Sequence, residues 1–157
     1  MKHINPISLI IFIVALNGCA SISRADTSVG IKTVLSGAAP ENDVLGNRKI
    51  EFINAQDSFE KTVAKYSTVP QEKIDFSANQ VILLAMGGKP TGGYAIRVDS
   101  VEEINGALKL IATETRPGSN CMVTQALTAP YLFVKILSVK RVETVIIKSE
   151  IVDCSAP

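Results

Sequence analysis

The positions of apolar residues along the chain predict a protein built mainly from β-strands. Residues 80–86, QVILLAM, form an unbroken apolar run, which is typical of a strand with both faces buried. Residues 94–103 alternate instead, which places Tyr94, Ile96 and Val98 on one face and polar side chains on the other. Further segments of strand composition are 31–37, 48–54, 107–115, 129–137 and 143–152.

Turn signals separate these segments at intervals of about 8–12 residues, as they do in antiparallel β folds. The sequence has no repeated strand–helix–strand pattern. We therefore expect a mainly β fold with one short α-helix. The main part is a small antiparallel β-sandwich or barrel, and an immunoglobulin-like sandwich is one form that it could take.

The single helix is predicted at residues 56–67, QDSFEKTVAKYS. Phe59, Val63 and Tyr66 recur at helical spacing, so we expect them to form its buried face. An apolar stripe of this kind indicates core packing rather than a binding site.

Polar residues at the start of this helix have two interpretations. Asp57 could cap the helix, with Glu60 as the second residue of a capping box. Ser58 and Lys61 also spell the S-x-x-K of serine acyl-enzymes. The S-D-N motif of those enzymes is absent, and Pro90 interrupts the only stretch similar to their K-T-G. We therefore expect surface residues at a helix start.

The N-terminus has the composition of a bacterial secretory signal. Lys2 provides a positive start, and residues 7–16 form an apolar core that is too short to span a bilayer as a helix. Residues 1–18 are therefore predicted to be a signal peptide and are excluded from fold reasoning.

The end of the signal, LNGC at residues 16–19, resembles a lipobox, which predicts acylation of Cys19. Cleavage by ordinary signal peptidase after Ala20 or Ala25 is the alternative. An acyl chain would hold a folded domain at a membrane. We thus expect a periplasmic lipoprotein of the bacterial cell envelope, placed at the outer membrane, with a soluble periplasmic or secreted protein as the alternative.

The remaining chain divides into two parts by composition. Residues 19–48 form a lipidated N-terminus and linker that contains a short strand, and residues 49–157 form a single β-rich domain. Cys121 and Cys154 remain as an even pair in an oxidising compartment, which predicts a disulfide. Two unpaired buried thiols are the alternative.

Charge and histidine content argue against several classes of function. Sixteen Lys and Arg residues nearly balance fifteen Asp and Glu residues, so there is no basic surface of the kind that binds nucleic acid. The single histidine is His3, inside the signal. Histidine-based triads, metal sites and general bases are therefore excluded from the mature chain. We expect no enzyme, no metal and no cofactor.

The stretch MGGKPTGGYAIRV, residues 86–98, contains four glycines and a proline. A phosphate loop would end in Lys-Ser or Lys-Thr and lead into a helix, whereas a strand follows here. A turn between two strands would explain part of the stretch, because glycine tolerates positive φ. The stretch is longer than a hairpin requires, and Thr91 to Tyr94 combine a hydroxyl, bare backbone and an aromatic ring, which favours a binding loop.

Motifs in the second half of the chain resemble the C-terminal domain of the protease complex subunit PrcB family. They are PTGGY, the loop RPGSNCMVTQ and the segment TAPY, in this order between about residues 75 and 136. The resemblance implies a secreted protein or lipoprotein that binds and stabilises a secreted protease. This sequence departs from the family after Ile136, where ILSVKRVE replaces a Pro-Lys pair.

The KPTGGY stretch is also similar, more weakly, to a loop of the chagasin family of cysteine-protease inhibitors. That similarity implies three binding loops at one end of a sandwich: residues 91–94, 117–120 and 129–131. The third loop departs from the family pattern, because Pro130 and Tyr131 stand in place of R-P-W. A strand start with a packed ring is an equal alternative for these two residues.

We therefore expect a non-catalytic envelope domain that binds a secreted or envelope protease as an accessory subunit or regulator. A chagasin-like inhibitor and a small-molecule-binding module are the alternatives. The candidate protein-binding residues are Lys89, Pro90, Thr91, Gly92, Gly93, Tyr94, Pro117, Gly118, Pro130 and Tyr131.

Overall fold

The computed structural model describes residues 29–38 and 46–155. The predicted signal peptide, Cys19 and most of the predicted linker lie outside these residues. The strands are β1 Gly30–Gly37, β2 Lys49–Ile53, β3 Gln80–Ala85, β4 Ala95–Ile104, β5 Ala107–Pro117, β6 Tyr131–Leu137 and β7 Val142–Val152. The helix α1 is Gln56–Val63.

The strands form two sheets. The first sheet has four antiparallel strands in the order β1-β6-β3-β2, and the second has three strands in the order β4-β5-β7. This is the mainly β, sandwich-like fold with one short helix that the pattern predicts. In the described ranges neither sheet closes into a barrel. Strand β1, which the sequence placed in the linker, pairs along its length with β6.

One strand pairing differs from the antiparallel expectation. Strands β5 and β7 are parallel, from Leu108 opposite Val142 to Pro117 opposite Val152. This arises because β6 belongs to the first sheet, so the chain crosses to the second sheet before β7 begins. Parallel strands need such a crossover connection.

The first sheet is the central layer of the molecule, because both of its faces are covered. One face packs against α1 and the loop after it, where Phe59, Val63 and Tyr66 are buried against Leu83 and Phe133. The predicted apolar face of the helix is therefore confirmed. Aromatic rings dominate this contact, and the centroids of Phe59 and Phe133 lie 6.3 Å apart in an edge-to-face arrangement.

The opposite face of the first sheet packs against the second sheet. Ile82 and Leu84 of β3 and Val134 of β6 contact Leu110 and Ala112 of β5 across this interface. Strand β3 alternates its side chains between the two interfaces, so every residue of it is buried. The unbroken apolar run at residues 80–86 follows directly from this central position.

The helix begins differently from the sequence prediction. The N-cap residue is Ala55, and no side chain caps it. Asp57 therefore lies inside the first turn. The prediction of a capping box between Asp57 and Glu60 is wrong. Instead, Gln56 Nε2 donates a hydrogen bond to Glu60 Oε1 at 2.7 Å. The carboxylate of Asp57 still lies near the positive end of the helix dipole.

The described part of the chain contains no helix with the length and apolar character needed to cross a lipid bilayer.

Candidate protein-binding site

The glycine-rich segment connects the two sheets. It leaves the central strand β3 of the first sheet and enters β4, an edge strand of the second sheet. The two strands do not pair, so the segment is not a hairpin turn. It instead connects the two layers of the molecule.

The loop before β6, residues 118–130, pairs with this glycine-rich segment. Lys89 and Thr128 exchange two backbone hydrogen bonds, at 2.7 Å and 3.0 Å. The Thr128 hydroxyl donates to the carbonyl oxygen of Thr91 at 2.7 Å. The Gly92 N–H donates to the carbonyl oxygen of Thr124 at 2.9 Å. The two loops therefore form one layer at the end of the molecule.

Two adjacent glycines allow this close approach. A Cβ atom at Gly92 would overlap Thr124 Oγ1, and one at Gly93 would lie 2.9 Å from Val123 Cγ1. Gly93 also has a φ of +85°, which side-chain-bearing residues rarely adopt. The bare backbone of these glycines thus accommodates the neighbouring loop of the same chain.

A surface groove lies beside the paired loops, with a volume of about 690 Å³. Tyr94, Arg116 and Ile151 line its floor. They are neighbours across the second sheet, because Tyr94 immediately precedes Ala95, which pairs with Thr115, and Arg116 pairs with Ile151. Their side chains lie on the face of the second sheet that packs on the first sheet. At this end of the molecule the first sheet no longer covers that face. Tyr94 is half-buried, whereas the apolar side chain of Ile151 is 56% exposed.

The wall of this Tyr94 groove is the segment from Pro117 to Asn120, together with Asp153. The Gly118 N–H donates to the carbonyl oxygen of Val152 at 2.9 Å, which fixes the wall to the end of β7. A disulfide between Cys121 and Cys154 joins the same two segments, with their Cα atoms 4.9 Å apart. The disulfide predicted from the even cysteine count is therefore confirmed.

A polar network reinforces this wall. Asn120 Nδ2 donates hydrogen bonds to Asp153 Oδ1 and to Ser155 Oγ. Asp153 also accepts from the Ser155 backbone N–H at 2.9 Å. Donation by the Asn120 amide, with further donation by Ser155, lowers the pKa of Asp153 below its usual value. This carboxylate therefore stays ionised and is held within the wall.

A cation lies near the aromatic ring of the groove. Lys89 Nζ is 5.8 Å from the centroid of the Tyr94 ring, which is within cation–π range. The connection thus places Lys89 and Tyr94, at opposite ends of the KPTGGY motif, against each other. The Lys89 cation therefore lies beside the ring on the floor of the groove.

The structure brings some of the sequence-derived candidates together and separates others. Tyr94, Pro117 and Gly118 share the groove, and Lys89 lies beside it. The remaining candidates on the glycine-rich connection lie in or next to its pairing with the loop of residues 118–130. They are Pro90, Thr91, Gly92 and Gly93.

Pro130 and Tyr131 lie in the core rather than on the groove. Both are buried, and Tyr131 is only 6% exposed. Its ring packs against Tyr66 with 4.8 Å between centroids, and its hydroxyl donates to the Tyr66 carbonyl oxygen at 3.2 Å. A strand start with a packed ring, the alternative considered for these residues, describes their position. We therefore leave both out of the surface that we propose below.

Sequence reasoning missed Arg116, Ile151 and Asp153 as groove residues. Arg116 is the first residue of the RPGSNCMVTQ motif, but nothing local distinguishes it from a solvated strand residue. Asp153 could have been found from the predicted disulfide, because it precedes Cys154 and a bond to Cys121 brings it close to the residues around Cys121. Ile151 could not, because its position beside Arg116 depends on the parallel pairing of β5 and β7.

The structure places the residues considered for chemistry apart from this groove. Ser58 and Lys61 are exposed on α1, which packs on the other face of the first sheet. Residues 29–38 and 46–155 contain no group of three or more His, Cys, Asp or Glu side chains arranged to hold a metal ion.

Comparisons with known proteins identify one family. The family model described as PrcB C-terminal matches residues 80–136, from the start of β3 almost to the end of β6. The match includes the glycine-rich connection, Tyr94, Arg116 and the loop that pairs with the connection. No curated protein and no solved structure matches the chain.

The PrcB family suggests an accessory, non-catalytic subunit associated with a protease complex. The resemblance expected from the PTGGY, RPGSNCMVTQ and TAPY motifs is therefore confirmed: residues 80–136 of this chain match the PrcB C-terminal family.

Proposed function

We propose that this protein is a non-catalytic, protein-binding domain that acts at the bacterial cell envelope as an accessory subunit or regulator of a secreted protease. The Tyr94 groove is its contact surface. The observation that carries the proposal is the grouping of an aromatic ring, exposed apolar side chains and an arginine at one end of the molecule.

Exposed apolar residues occur in the groove and on the loop that continues from its wall. Ile151 lines the groove and is 56% exposed. On the loop of residues 118–130, Met122 is fully exposed and Leu127 is 69% exposed. Grouped apolar side chains mark interaction sites more often than apolar residues scattered singly. The disulfide and the Asn120 network hold the loop in place, so little ordering is needed when a partner binds.

Replacing Tyr94 by alanine is expected to weaken partner binding by about 1–3 kcal/mol, because buried tyrosines commonly anchor interfaces. Captured proteins from envelope extracts would be identified by mass spectrometry with wild-type protein as bait. The affinity of the captured peptidase would then be measured for wild type and variant by calorimetry. Melting temperatures are recorded on the same samples.

A control variant is Val139→Ala, which truncates an apolar side chain that is 74% exposed. Val139 follows β6, at the end of that strand opposite the groove. It should leave affinity unchanged. Capture that contains no peptidase would contradict the assignment of the partner. Unchanged affinity of Tyr94→Ala, with a lower melting temperature, would show that Tyr94 serves only the core.

The two alternative functions receive less support from the geometry. An inhibitor of the chagasin type would present three loops together, but the third, residues 129–131, is buried. A small-molecule site would be mostly enclosed, whereas Arg116 and Ile151 on the floor of the Tyr94 groove are exposed.

The envelope location rests on the N-terminal sequence alone. If Cys19 is acylated, Cys19→Ser should move the mature protein from the detergent-extracted membrane fraction to the soluble fraction, since the substitution removes the acyl anchor. Fractionation followed by immunoblotting measures this. An identical distribution of wild type and variant between the membrane and soluble fractions would contradict lipidation and favour ordinary signal cleavage.

A further inference from the structure

Arg116 differs from the other arginines in the described part of the chain. The others have side-chain partners: Glu114 for Arg48, Asp99 and Glu150 for Arg97, and Asn54 for Arg141. Arg116 is exposed on the floor of the Tyr94 groove and has no ion pair or side-chain hydrogen bond within residues 29–38 and 46–155. Its donors are therefore available to a molecule that enters the groove.

The chemistry of guanidinium defines what it would bind. It is planar, remains charged at any physiological pH and presents paired N–H donors that match the two oxygens of a carboxylate. Tyr94, which immediately precedes β4, and Ile151 of β7 lie on either side of Arg116. A partner that covers these side chains excludes water from the guanidinium, which strengthens the ion pair.

The surrounding charges leave this position positive. Lys89 lies near the Tyr94 ring and adds a second cation. Asp153 is the one acidic residue that lines the groove, and its Oδ1 accepts hydrogen bonds from Asn120 and from Ser155. Its carboxylate is thus engaged with the wall and forms no ion pair with Arg116.

We propose that the groove binds an acidic side chain, Asp or Glu, within a segment of the partner protein. Arg116 pairs with the carboxylate, while Tyr94 and Ile151 contact apolar residues beside it. This inference rests on the proposed protein-binding function and specifies the chemistry of the partner.

The position of Arg116 in the groove suits an acidic side chain within a segment better than a free carboxyl terminus. Tyr94 and Ile151 lie on either side of Arg116, and a segment has residues on both sides of its acidic side chain that can contact them. A chain terminus has residues on one side only.

Random peptides displayed on phage, without a free carboxyl terminus, are selected with the mature, disulfide-bonded protein. We expect Asp or Glu to be enriched at one position. The best peptide is then synthesised with amidated ends, along with its Glu→Gln or Asp→Asn form. Arg116→Gln should weaken binding of the acidic peptide by about 10- to 100-fold, the range of a hydrogen bond to a charged group.

A double-mutant cycle isolates the pair. The loss of binding free energy caused by Arg116→Gln and the loss caused by the neutral peptide should not add, because both changes remove the same contact. Lys148→Gln is the matched control, since Lys148 is an exposed cation on β7 with no ion pair among the described residues. It points to the opposite face from Ile151, so this variant should retain wild-type affinity.

The outcomes separate this inference from the proposed function. Peptides that bind, lose affinity in Tyr94→Ala and do not respond to Arg116→Gln would overturn the carboxylate inference and retain protein binding. Enrichment without any acidic position would have the same meaning. Binding only of peptides with a free carboxyl terminus, in a parallel synthetic array, would overturn the side-chain assignment. Selection of no peptide above background would overturn both.

Discussion

Replacing Cys121 and Cys154 together by serine is expected to lower the free energy of unfolding by about 3–4 kcal/mol. The bond closes a loop whose ends are 33 residues apart in sequence. Without this cross-link the unfolded chain has more conformational entropy, which favours unfolding. Urea denaturation of the oxidised wild type and of the double variant measures the difference. Adding reductant should destabilise the wild type by a similar amount and leave the variant unchanged.

The same variant should also weaken binding at the Tyr94 groove, because the disulfide joins the wall to the end of β7. The Gly118 N–H to Val152 hydrogen bond and the contacts of Asn120 remain, so the wall is loosened rather than released. Peptides selected on the oxidised protein would report this directly. Equal stability of the two proteins in urea would contradict a disulfide that constrains the unfolded chain.

Replacing Tyr131 by alanine is expected to cost about 3–5 kcal/mol of stability, the range for removing a large aromatic side chain from a core. The ring is buried between Tyr66 and Phe133, with centroids 4.8 and 6.2 Å away. Affinity per folded molecule should stay unchanged. Thermal and urea unfolding, with binding measured on the folded fraction, would test both statements.

Tyr131→Phe is the conservative companion. It removes the hydroxyl that donates to the Tyr66 carbonyl oxygen and keeps the ring, so we expect a smaller loss of about 0.5–1.5 kcal/mol. Tyr94→Ala should show the reverse pattern, with weakened binding. Weaker partner binding by well-folded Tyr131→Phe protein would mean that Tyr131 does contribute to the interface, as the family resemblance first indicated.

The features that could be predicted from sequence are those encoded in neighbouring residues. The unbroken apolar run at 80–86 predicted a fully buried strand, and β3 is buried at every position. The spacing of Phe59, Val63 and Tyr66 predicted the packed face of α1. The even cysteine count predicted the disulfide, because its chemistry depends on compartment and number rather than on the fold.

Local patterns also misplaced some details. The capping residues of α1 were wrong, because a polar residue near a helix start can lie at the cap or within the first turn, and only backbone geometry distinguishes them. Pro130 and Tyr131 belong to a conspicuous motif, yet they are buried. A motif records that residues are used together and does not say which face of a sheet they occupy.

The amino-acid sequence by itself determined the strand content, the packed helix face, the disulfide and the similarity to the PrcB C-terminal family. The tertiary structure alone decided that β3 and β4 lie in different sheets, that β5 and β7 are parallel, and that Tyr94 and Arg116 share one groove. The physical reason is that periodicity and composition act through side chains a few positions apart. Sheet order and register instead depend on contacts between distant segments, such as Arg116 with Ile151, whose strength no local pattern records.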